Sequence, residues 1–396
     1  MKKLIIILYP FQFRKFDWER FEIDELKKLN EIVVFDFINV LHPHFKKAYF
    51  VDKEIKSKII PIDNITKYKN KINELIQKHN NKNILVLNFI KSDSFKSLII
   101  NHFLKRKNLK TLSFFNPGVS TYNISILRNK HNKLTNIKML FRKRGETIQK
   151  IWGKFINILV KILEIYPDFM FVAGEKCKKD ILKDCRKKNI RIIKGNSWDF
   201  SQILRKKKEI INSNINYAVY LDAPGPKFLS DSHLYKDKLF ETVNHTYPSL
   251  NKFFTYVEKK LKLKVIVAAH PRTKIKDKSS LFNYRKVVSG KTMELIKNSK
   301  LVITRNSTAA TFAAYYKKPI IFFYTNETFN EEPHRSSAHL SKSLNLKTIN
   351  INKFNEFNLN NIMKFNKSSY NDYLFNFCTF KTVNKPNFII LSKLLN

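Results

Sequence analysis

Residues 265–272 read VIVAAHPR, in which five apolar residues run directly into His270, Pro271 and Arg272. An uninterrupted apolar run of this length predicts a strand that is covered on both faces, as in a parallel sheet. The proline fixes the following turn, so the imidazole of His270 is held at the strand tip. There it can bind a phosphate or protonate a leaving phosphate oxygen, and Arg272 can add a charge-assisted contact. The alternative interpretation is a turn with a purely structural role.

The same pattern of short apolar strands and longer amphipathic stretches recurs along the 396-residue chain, which is long enough for two domains. Alternating strands and helices predict parallel sheets in an α/β fold. Helical patterns lie at Ser249–Leu261 and Met293–Ser299, and Phe388–Leu395 is apolar enough to form a last, docked helix. The predicted strands are Lys3–Tyr9, Glu31–Phe37, Asn83–Asn88, Lys110–Phe114, Asp168–Val172, Arg191–Ile193, Tyr217–Leu221, Lys264–Ala268, Arg285–Val288, Leu301–Thr304 and Pro319–Tyr324.

The chain is strongly basic, with 75 Lys and Arg against 32 Asp and Glu and a formal net charge of +43. Such an excess is typical of proteins that bind nucleic acids or anionic membranes. The basic residues are spread along the chain and no nucleic-acid recognition motif is present, so we expect no specific nucleic acid partner. The densest region, Arg128–Lys154, has nine basic residues against Glu146, with apolar residues interleaved. It favours either a solvated helix or a segment that lies on an anionic membrane.

Three features of the sequence bear on the compartment. The apolar run Leu4–Tyr9 ends at Pro10, too early for the hydrophobic region of a signal peptide, and fits a buried first strand. The run Phe155–Ala173 is interrupted by charges and is too polar for a transmembrane helix. The three cysteines match no zinc motif and cannot all pair, which indicates a reducing compartment. We therefore expect a cytoplasmic protein, and leave open a peripheral contact with the inner face of the inner membrane.

A second predicted strand ends in an acid. The run Tyr217–Leu221 continues into Asp222 and then into a turn that contains Pro224 and Gly225. The turn would project the carboxylate from the strand end, where it can accept a proton from a sugar hydroxyl as a general base. The alternative is a turn-capping aspartate that binds its own backbone.

A third predicted strand ends in hydroxyl groups. The run Leu301–Thr304 is followed by Arg305, Asn306, Ser307 and Thr308 and then by a small-residue helix start. Either hydroxyl residue can cap that helix, whose N-terminus presents free N–H groups to an anion. The seven glycines contain no G-x-G sequence, so a glycine-rich phosphate loop is excluded. The alternative is an ordinary helix cap without a ligand.

Residues 289–292 read SGKT and look like the end of a P-loop. That motif requires a glycine at the position that Arg285 occupies, which excludes ATP hydrolysis by a Walker mechanism. The segment is either a plain helix start or a source of nucleotide contacts. The residues that we expect to touch a nucleotide are Gly290, Lys291, Thr292 and Glu294.

The order of an acidic strand end, a His-Pro pair and a Ser/Thr pair resembles the bacterial sialyltransferases and related ulosonic-acid transferases (for sialic, pseudaminic, legionaminic or Kdo-type sugars) of the GT-B fold. The stretch Tyr220–Thr325, roughly a quarter of the chain, is similar to surface carbohydrate biosynthesis proteins. The resemblance implies two Rossmann-like domains that face a central cleft. Residues 1–205 would bind the acceptor, residues 206–385 would bind the nucleotide sugar, and the helix in 386–396 would pack back on the first domain.

The resemblance also implies roles for single residues. Asp222 would be the base that activates the acceptor hydroxyl, and His270 would bind the donor phosphate or act as the acid for the leaving CMP. The family's acid is usually followed by glycine, whereas Ala223 follows it here. The expected donor and phosphate contacts are His270, Pro271, Arg272, Arg305, Asn306, Ser307 and Thr308.

The expected activity is an inverting, metal-independent and cofactor-free transfer of a sugar from a CMP-activated donor to a glycan or lipid-linked glycan acceptor of a capsule or lipopolysaccharide. Other transferases of this fold use the same motifs. The alternatives are therefore a UDP-hexose glycosyltransferase or a CDP-polyol phosphotransferase and, from the charge, a nucleic-acid-binding protein.

Overall fold

A computed structural model describes residues 3–44, 52–115, 152–206, 216–223, 225–226, 240–270 and 279–394. The strands of these segments form one seven-stranded and one six-stranded sheet, and all of their pairings are parallel. The strands are β1 Leu4–Tyr9, β2 Glu31–Asp36, β3 Ile60–Pro61, β4 Ile84–Asn88, β5 Lys110–Phe115, β6 Phe169–Ala173, β7 Arg191–Gly195, β8 Tyr217–Leu221, β9 Lys264–Ala268, β10 Val287–Val288, β11 Leu301–Thr304, β12 Ile320–Tyr324 and β13 Thr348–Asn350.

Helices connect the strands and cover both faces of the sheets. They are α1 Lys15–Arg20, α2 Ile23–Leu29, α3 Ile38–Leu41, α4 Lys53–Lys56, α5 Ile65–His79, α6 Phe95–Arg106, α7 152–162, α8 Glu175–Lys187, α9 Trp198–Arg205, α10 Val243–Leu261, α11 Thr292–Asn298, α12 Ala310–Tyr315, α13 Glu332–Ser343, α14 Leu359–Met363, α15 Lys367–Tyr373 and α16 Asn387–Lys393. A π-helical turn spans Leu374–Cys378.

The two sheets share one topology. The N-terminal sheet has the order β3-β2-β1-β4-β5-β6-β7, and the C-terminal sheet has the order β10-β9-β8-β11-β12-β13. Each sheet starts at a central strand, grows to one side, and then reverses to grow to the other side. This is the doubly wound order, with a crevice at the carboxyl ends of the two strands that flank the reversal. The predicted α/β class with two Rossmann-like sheets is confirmed.

The predicted strand limits agree best where a long apolar run ends in a polar residue. The limits of β8, β9 and β11 are those predicted, whereas the short strands β3 and β13 were not predicted. The strand predicted from Arg285 begins only at Val287. The guanidinium of Arg285 instead donates to Glu258 at 2.7 and 2.9 Å and to Asn251 at 3.1 Å, which ties it to α10.

Alternate residues of β1 pack on opposite faces of the N-terminal sheet, as the two-residue period of a strand requires. Ile6 belongs to a buried cluster with α5 and α6, which includes Tyr68 and Ile100. Ile5 belongs to a second cluster with α1, α2 and α16, which includes Trp18. The sheet is therefore buried on both faces, which explains its almost continuous apolar strands.

One apolar core continues from the first half of the chain into the second. The same buried cluster contains Cys177 and Phe200 before the predicted domain limit at 205, and Val219 and Ala313 after it. The ring of Phe200 meets that of Tyr315 edge to face, with 5.9 Å between the centroids. The two sheets therefore share packing as well as a chain connection.

Helix α16 packs on the N-terminal domain. Leu391 is part of the cluster that covers one face of the N-terminal sheet. The backbone N–H of Phe388 donates to the buried carboxylate of Glu22 at 2.9 Å. The side chain of Asn387 bonds the backbone of Asn196 twice, accepting from its N–H at 3.0 Å and donating to its carbonyl at 2.9 Å. Buried polar bonds therefore fix the start of α16 against the end of β7.

We expect Asn387→Ala to lower the free energy of unfolding by about 1–3 kcal/mol, because it leaves the buried backbone groups of Asn196 without these partners. Urea denaturation followed by circular dichroism measures the loss. Lys393→Ala on the exposed face of the same helix is the control and should change stability by less than about 0.5 kcal/mol. Equal losses in both variants would contradict a specific role for Asn387.

Candidate functional site

The predicted site residues collect at one edge of the C-terminal sheet. All strands of this sheet run parallel, so their carboxyl ends lie together. Along that edge the strand order places Gly290 after β10, His270 after β9, Asp222 after β8 and Arg305 after β11. Neighbouring strands are about 4.8 Å apart, so the ends of β9 and β11 lie about 10 Å from each other with Asp222 between them. The reversal of strand order lies between β8 and β11, where open α/β sheets bind their ligands.

Asp222 is largely buried at the end of β8. Its backbone N–H donates to the carbonyl of Ala268 at 3.0 Å, which continues the β8–β9 pairing by one residue. Its carboxylate accepts a long hydrogen bond, 3.4 Å, from the backbone N–H of His270. The acid and the histidine are therefore held in contact at neighbouring strand ends.

Two tyrosines lie near the Asp222 carboxylate. Burial is the main cause that raises the pKa of Tyr220 and of Tyr247 above the usual range, and the negative charge of Asp222 adds to it in both cases. Both hydroxyls therefore remain protonated at any physiological pH. The Tyr247 hydroxyl lies within 3.3 Å of the position that a Cβ on Gly225 would take, so it also packs against the turn that follows Asp222. The sequence offered no signal for Tyr247, which is 25 residues after Asp222 and 23 residues before His270.

Arg305 is buried and forms an ion pair with the equally buried Glu241. Its guanidinium carbon lies 6.0 Å from the centroid of the Phe323 ring. Burial lowers the pKa of Arg305, and the negative charges of Asp222 and Glu332 oppose that shift. Arg305 therefore forms a buried ion pair within the C-terminal domain. The sequence analysis did not predict Glu241 as its partner.

The hydroxyl pair lies half-buried between β11 and α12. The helix begins at Ala310 with Ala309 in the N-cap position, so neither hydroxyl residue is the cap that we predicted. The Ser307 hydroxyl instead accepts from the backbone N–H of Ala309 at 3.3 Å. Asn306 donates to the hydroxyl of Ser336 at 3.4 Å. Because α12 has six residues, the hydroxyls and backbone of 306–309, rather than a long helix dipole, are the polar groups available to an anion here.

The segment after β10 forms the opposite end of the site. Gly290 has a backbone φ of +74° with open space where a Cβ would be. Lys291 occupies the N-cap position of α11, and Glu294 lies in the first turn of that helix. The segment is thus the start of a helix next to the His270 strand end, as both interpretations of the SGKT sequence require.

Several predicted features lie outside the described residues. They are Pro271, Arg272 and the basic segment up to residue 151.

A cavity of about 540 Å³ opens at the carboxyl ends of β12 and β13, beyond the hydroxyl pair. Tyr324, Asn326, Phe329 and Asn350 are among its lining residues. The Phe329 ring is stacked on that of His334 with 5.3 Å between the centroids. The cavity extends the polar and aromatic edge of the sheet past the predicted site.

The carboxyl edge of the N-terminal sheet carries a second polar cluster. The hydroxyl of Tyr9 donates to Asp17 at 3.0 Å. Asp36 accepts from the backbone N–H groups of Phe13 at 2.8 Å and Ile38 at 2.9 Å. Burial raises the pKa of Asp36 to about 6, although both hydrogen bonds act to lower it. Asp36 therefore holds the loop after β1 against the end of β2.

The rings of Phe11 and His42 stack at this edge, 4.7 Å apart and 10° from parallel. Burial and the nearby His44 lower the pKa of His42 below its usual value. A neutral, flat ring pair of this kind can pack against the C–H face of a sugar ring.

Within the described residues, no group of three or more His, Cys, Asp or Glu side chains is arranged to hold a metal ion. None of the helices in the described parts of the chain has both the length and the apolar character that crossing a membrane requires.

Comparison with known proteins shows the fold. No family model matches the chain, and no curated protein matches it. The UDP-GlcNAc 2-epimerase of Neisseria meningitidis, solved with UDP-GlcNAc, is similar over 100% of both chains with 12% identity and a TM-score of 0.50. S. aureus MnaA, solved with UDP, is similar over 100% of this chain and 95% of that one with 11% identity and a TM-score of 0.50. Acinetobacter baumannii MurG matches with 8% identity over 100% and 99% of the chains and a TM-score of 0.47. The chain has the GT-B fold.

We expect Glu241→Leu to lower the free energy of unfolding by about 3–5 kcal/mol, because it leaves the buried Arg305 charge without its partner. Replacing both residues, Glu241→Leu with Arg305→Met, should recover most of that loss. Chemical denaturation of the two variants and the wild type measures both effects.

The control for this cycle is Glu356→Leu, which breaks an exposed pair with Lys353 and should cost less than about 1 kcal/mol. A double variant that is no more stable than Glu241→Leu would show that the two charges do not depend on each other.

Proposed function

We propose that the protein is a glycosyltransferase that binds a nucleotide-activated sugar at the carboxyl edge of its C-terminal sheet. The observation that carries the proposal is the meeting of an acid, a histidine and a hydroxyl pair at the reversal of strand order, on β8, β9 and β11. Ligands of open α/β sheets bind at that crevice. We place the activity in the cytoplasm.

The donor phosphate would lie between the ends of β9 and β11. The imidazole of His270 would donate a hydrogen bond to it from one side, and the hydroxyls of Ser307 and Thr308 from the other. Such donors stabilise the negative charge that develops on the departing nucleotide, which is usually the largest contribution to catalysis. Protonated imidazole can also transfer its proton to the leaving phosphate oxygen.

Asp222 would remove the proton from the acceptor hydroxyl. Its backbone and carboxylate contacts with the end of β9 hold it beside His270. The proposed base would therefore lie next to the residue that binds the donor phosphate. The acceptor would approach from the N-terminal sheet, where the stacked pair of Phe11 and His42 offers a flat surface to a sugar ring.

For the donor we propose a CMP-linked sugar of the sialic or ulosonic acid type. Its support is the order of the acid, His-Pro and Ser/Thr motifs along the chain. The second candidate is a UDP-linked sugar, because the two solved structures with a TM-score of 0.50 hold UDP and UDP-GlcNAc.

Calorimetric titration of CMP, UDP and CDP, each with and without Mg²⁺, tests the donor. We expect CMP to bind best without metal and His270→Ala to weaken it by about tenfold or more, since hydrogen bonds to charged groups contribute about 1.5–3 kcal/mol. His245→Ala, on α10, is the matched control and should bind CMP like the wild type. Preferential binding of UDP would change the proposed donor to a UDP-linked sugar and leave the proposed site unchanged. Failure of every nucleotide to bind would refute the proposed site.

Asp222→Asn should lower kcat by about 10²–10⁴-fold while nucleotide affinity changes little, because the variant lacks only the proton acceptor. The exposed Asp184→Asn on α8 is the control. The measurement is the rate of CMP release during transfer from a CMP-sugar to a glycan acceptor. Normal turnover in Asp222→Asn would remove this residue from the role of base.

A further inference from the structure

Helix α7 presents apolar side chains to solvent along its length. Trp152 is 54% exposed, Phe155 46%, Ile158 52% and Ile162 70%. These four residues, called the outer stripe here, account for half of the eight large exposed apolar side chains among the described residues. An exposed apolar patch of this kind marks a surface that binds something.

The outer stripe is a continuous surface. At 3.6 residues per turn its four side chains fall within roughly a third of the helix circumference. The rings of Trp152 and Phe155 stack with 5.6 Å between their centroids. Ile156 is fully buried and lies about 100° around the helix from the middle of the stripe, so the helix has a separate inner face that holds it on the domain. The stripe is therefore additional to what folding of the helix requires.

Basic residues border the stripe. Lys154 and Lys161 are exposed on the same helix. At its end, Lys105 of α6 donates to the carbonyls of Leu163 at 2.9 Å and Glu164 at 3.0 Å and pairs with the Glu164 carboxylate at 3.3 Å, so the end of α6, which also carries Arg106, lies beside the stripe. The partner that fits an apolar stripe in basic surroundings is both apolar and negatively charged.

The position of α7 relates the stripe to the cleft. The residues just after α7 contact Lys105 at the end of α6, which precedes the start of β5, so α7 ends near the amino edge and its first turn faces the carboxyl edge. Trp152 and Phe155 are in that first turn. The aromatic end of the stripe is thus at the edge of the N-terminal sheet where the proposed acceptor would enter.

We propose that the outer stripe docks the protein on an anionic lipid bilayer, with its aromatic end inserted among the headgroups beside the cleft. Tryptophan and phenylalanine suit the interface between headgroups and acyl chains, and flanking lysines are attracted to anionic lipids. The docking deepens the proposed function and rests on it in one respect, because it would present a lipid-linked acceptor to the site.

Co-sedimentation with lipid vesicles tests the proposal without any nucleotide. The vesicles are phosphatidylcholine alone, or two parts phosphatidylcholine to one part phosphatidylglycerol. We expect the wild type to bind the phosphatidylglycerol vesicles and Trp152→Ser/Phe155→Ser to lose at least about tenfold in partitioning. Ile158→Ser/Ile162→Ser, which leaves both rings in place, should also weaken binding. The control, Leu29→Ser/Tyr284→Ser, removes two exposed apolar side chains elsewhere and should bind like the wild type.

The outcomes separate the docking from the site. Absence of vesicle binding by the wild type, or an equal loss in the control, would overturn the docking. A wild type that sediments as a dimer in analytical ultracentrifugation and not with vesicles, while Trp152→Ser/Phe155→Ser is a monomer, would assign the stripe to a second copy and overturn it as well. Thermal melting confirms that each variant is folded. Nucleotide titration of the same variants reports on the site independently.

Discussion

The candidate site depends on the register of β8 between its two neighbours. Leu221 pairs with Ala268 of β9 on one side and with Thr304 of β11 on the other. The three strands therefore end at the same level, and the polar residue that follows each of them reaches the same edge. A slip by one residue would turn every side chain of the strand to the opposite face. All five residues of β8 are buried, so the core strongly opposes such a slip.

This register also explains why the sequence was informative in this region. In β8, β9 and β11 a run of three to five apolar residues gives way to a polar residue within two positions of the strand end. The same short stretch of sequence therefore indicates both that the strand is buried on its two faces and where it ends. The edge strands β3 and β13 have two and three residues, too short for a periodic signal. The predicted start of β10 at Arg285 was too early, because the Arg285 side chain pairs with a helix instead of extending from a strand.

What the sequence could not predict depends on contacts between distant residues. Nothing in the local pattern around Glu241 or Arg305 indicates that they pair, since each is an ordinary charged residue until the fold buries both. The same holds for Glu22, whose carboxylate accepts from the Ser201 hydroxyl at 2.7 Å and from the N–H of Phe388 at 2.9 Å. Burial raises the pKa of Glu22, and these two bonds compensate part of the cost of its charge. The cap of α12 was also predicted wrongly. Ser307 and Thr308 are consecutive hydroxyl residues, so the sequence did not show at which residue the first turn of α12 begins.

Buried packing continues across the predicted limit between residues 1–205 and 206–385. Here Phe200 and Cys177 share a buried cluster with Val219 and Ala313, and α16 returns from the end of the chain to the N-terminal sheet. The relative position of the two carboxyl edges is therefore set by a close-packed interior, which resists gradual deformation.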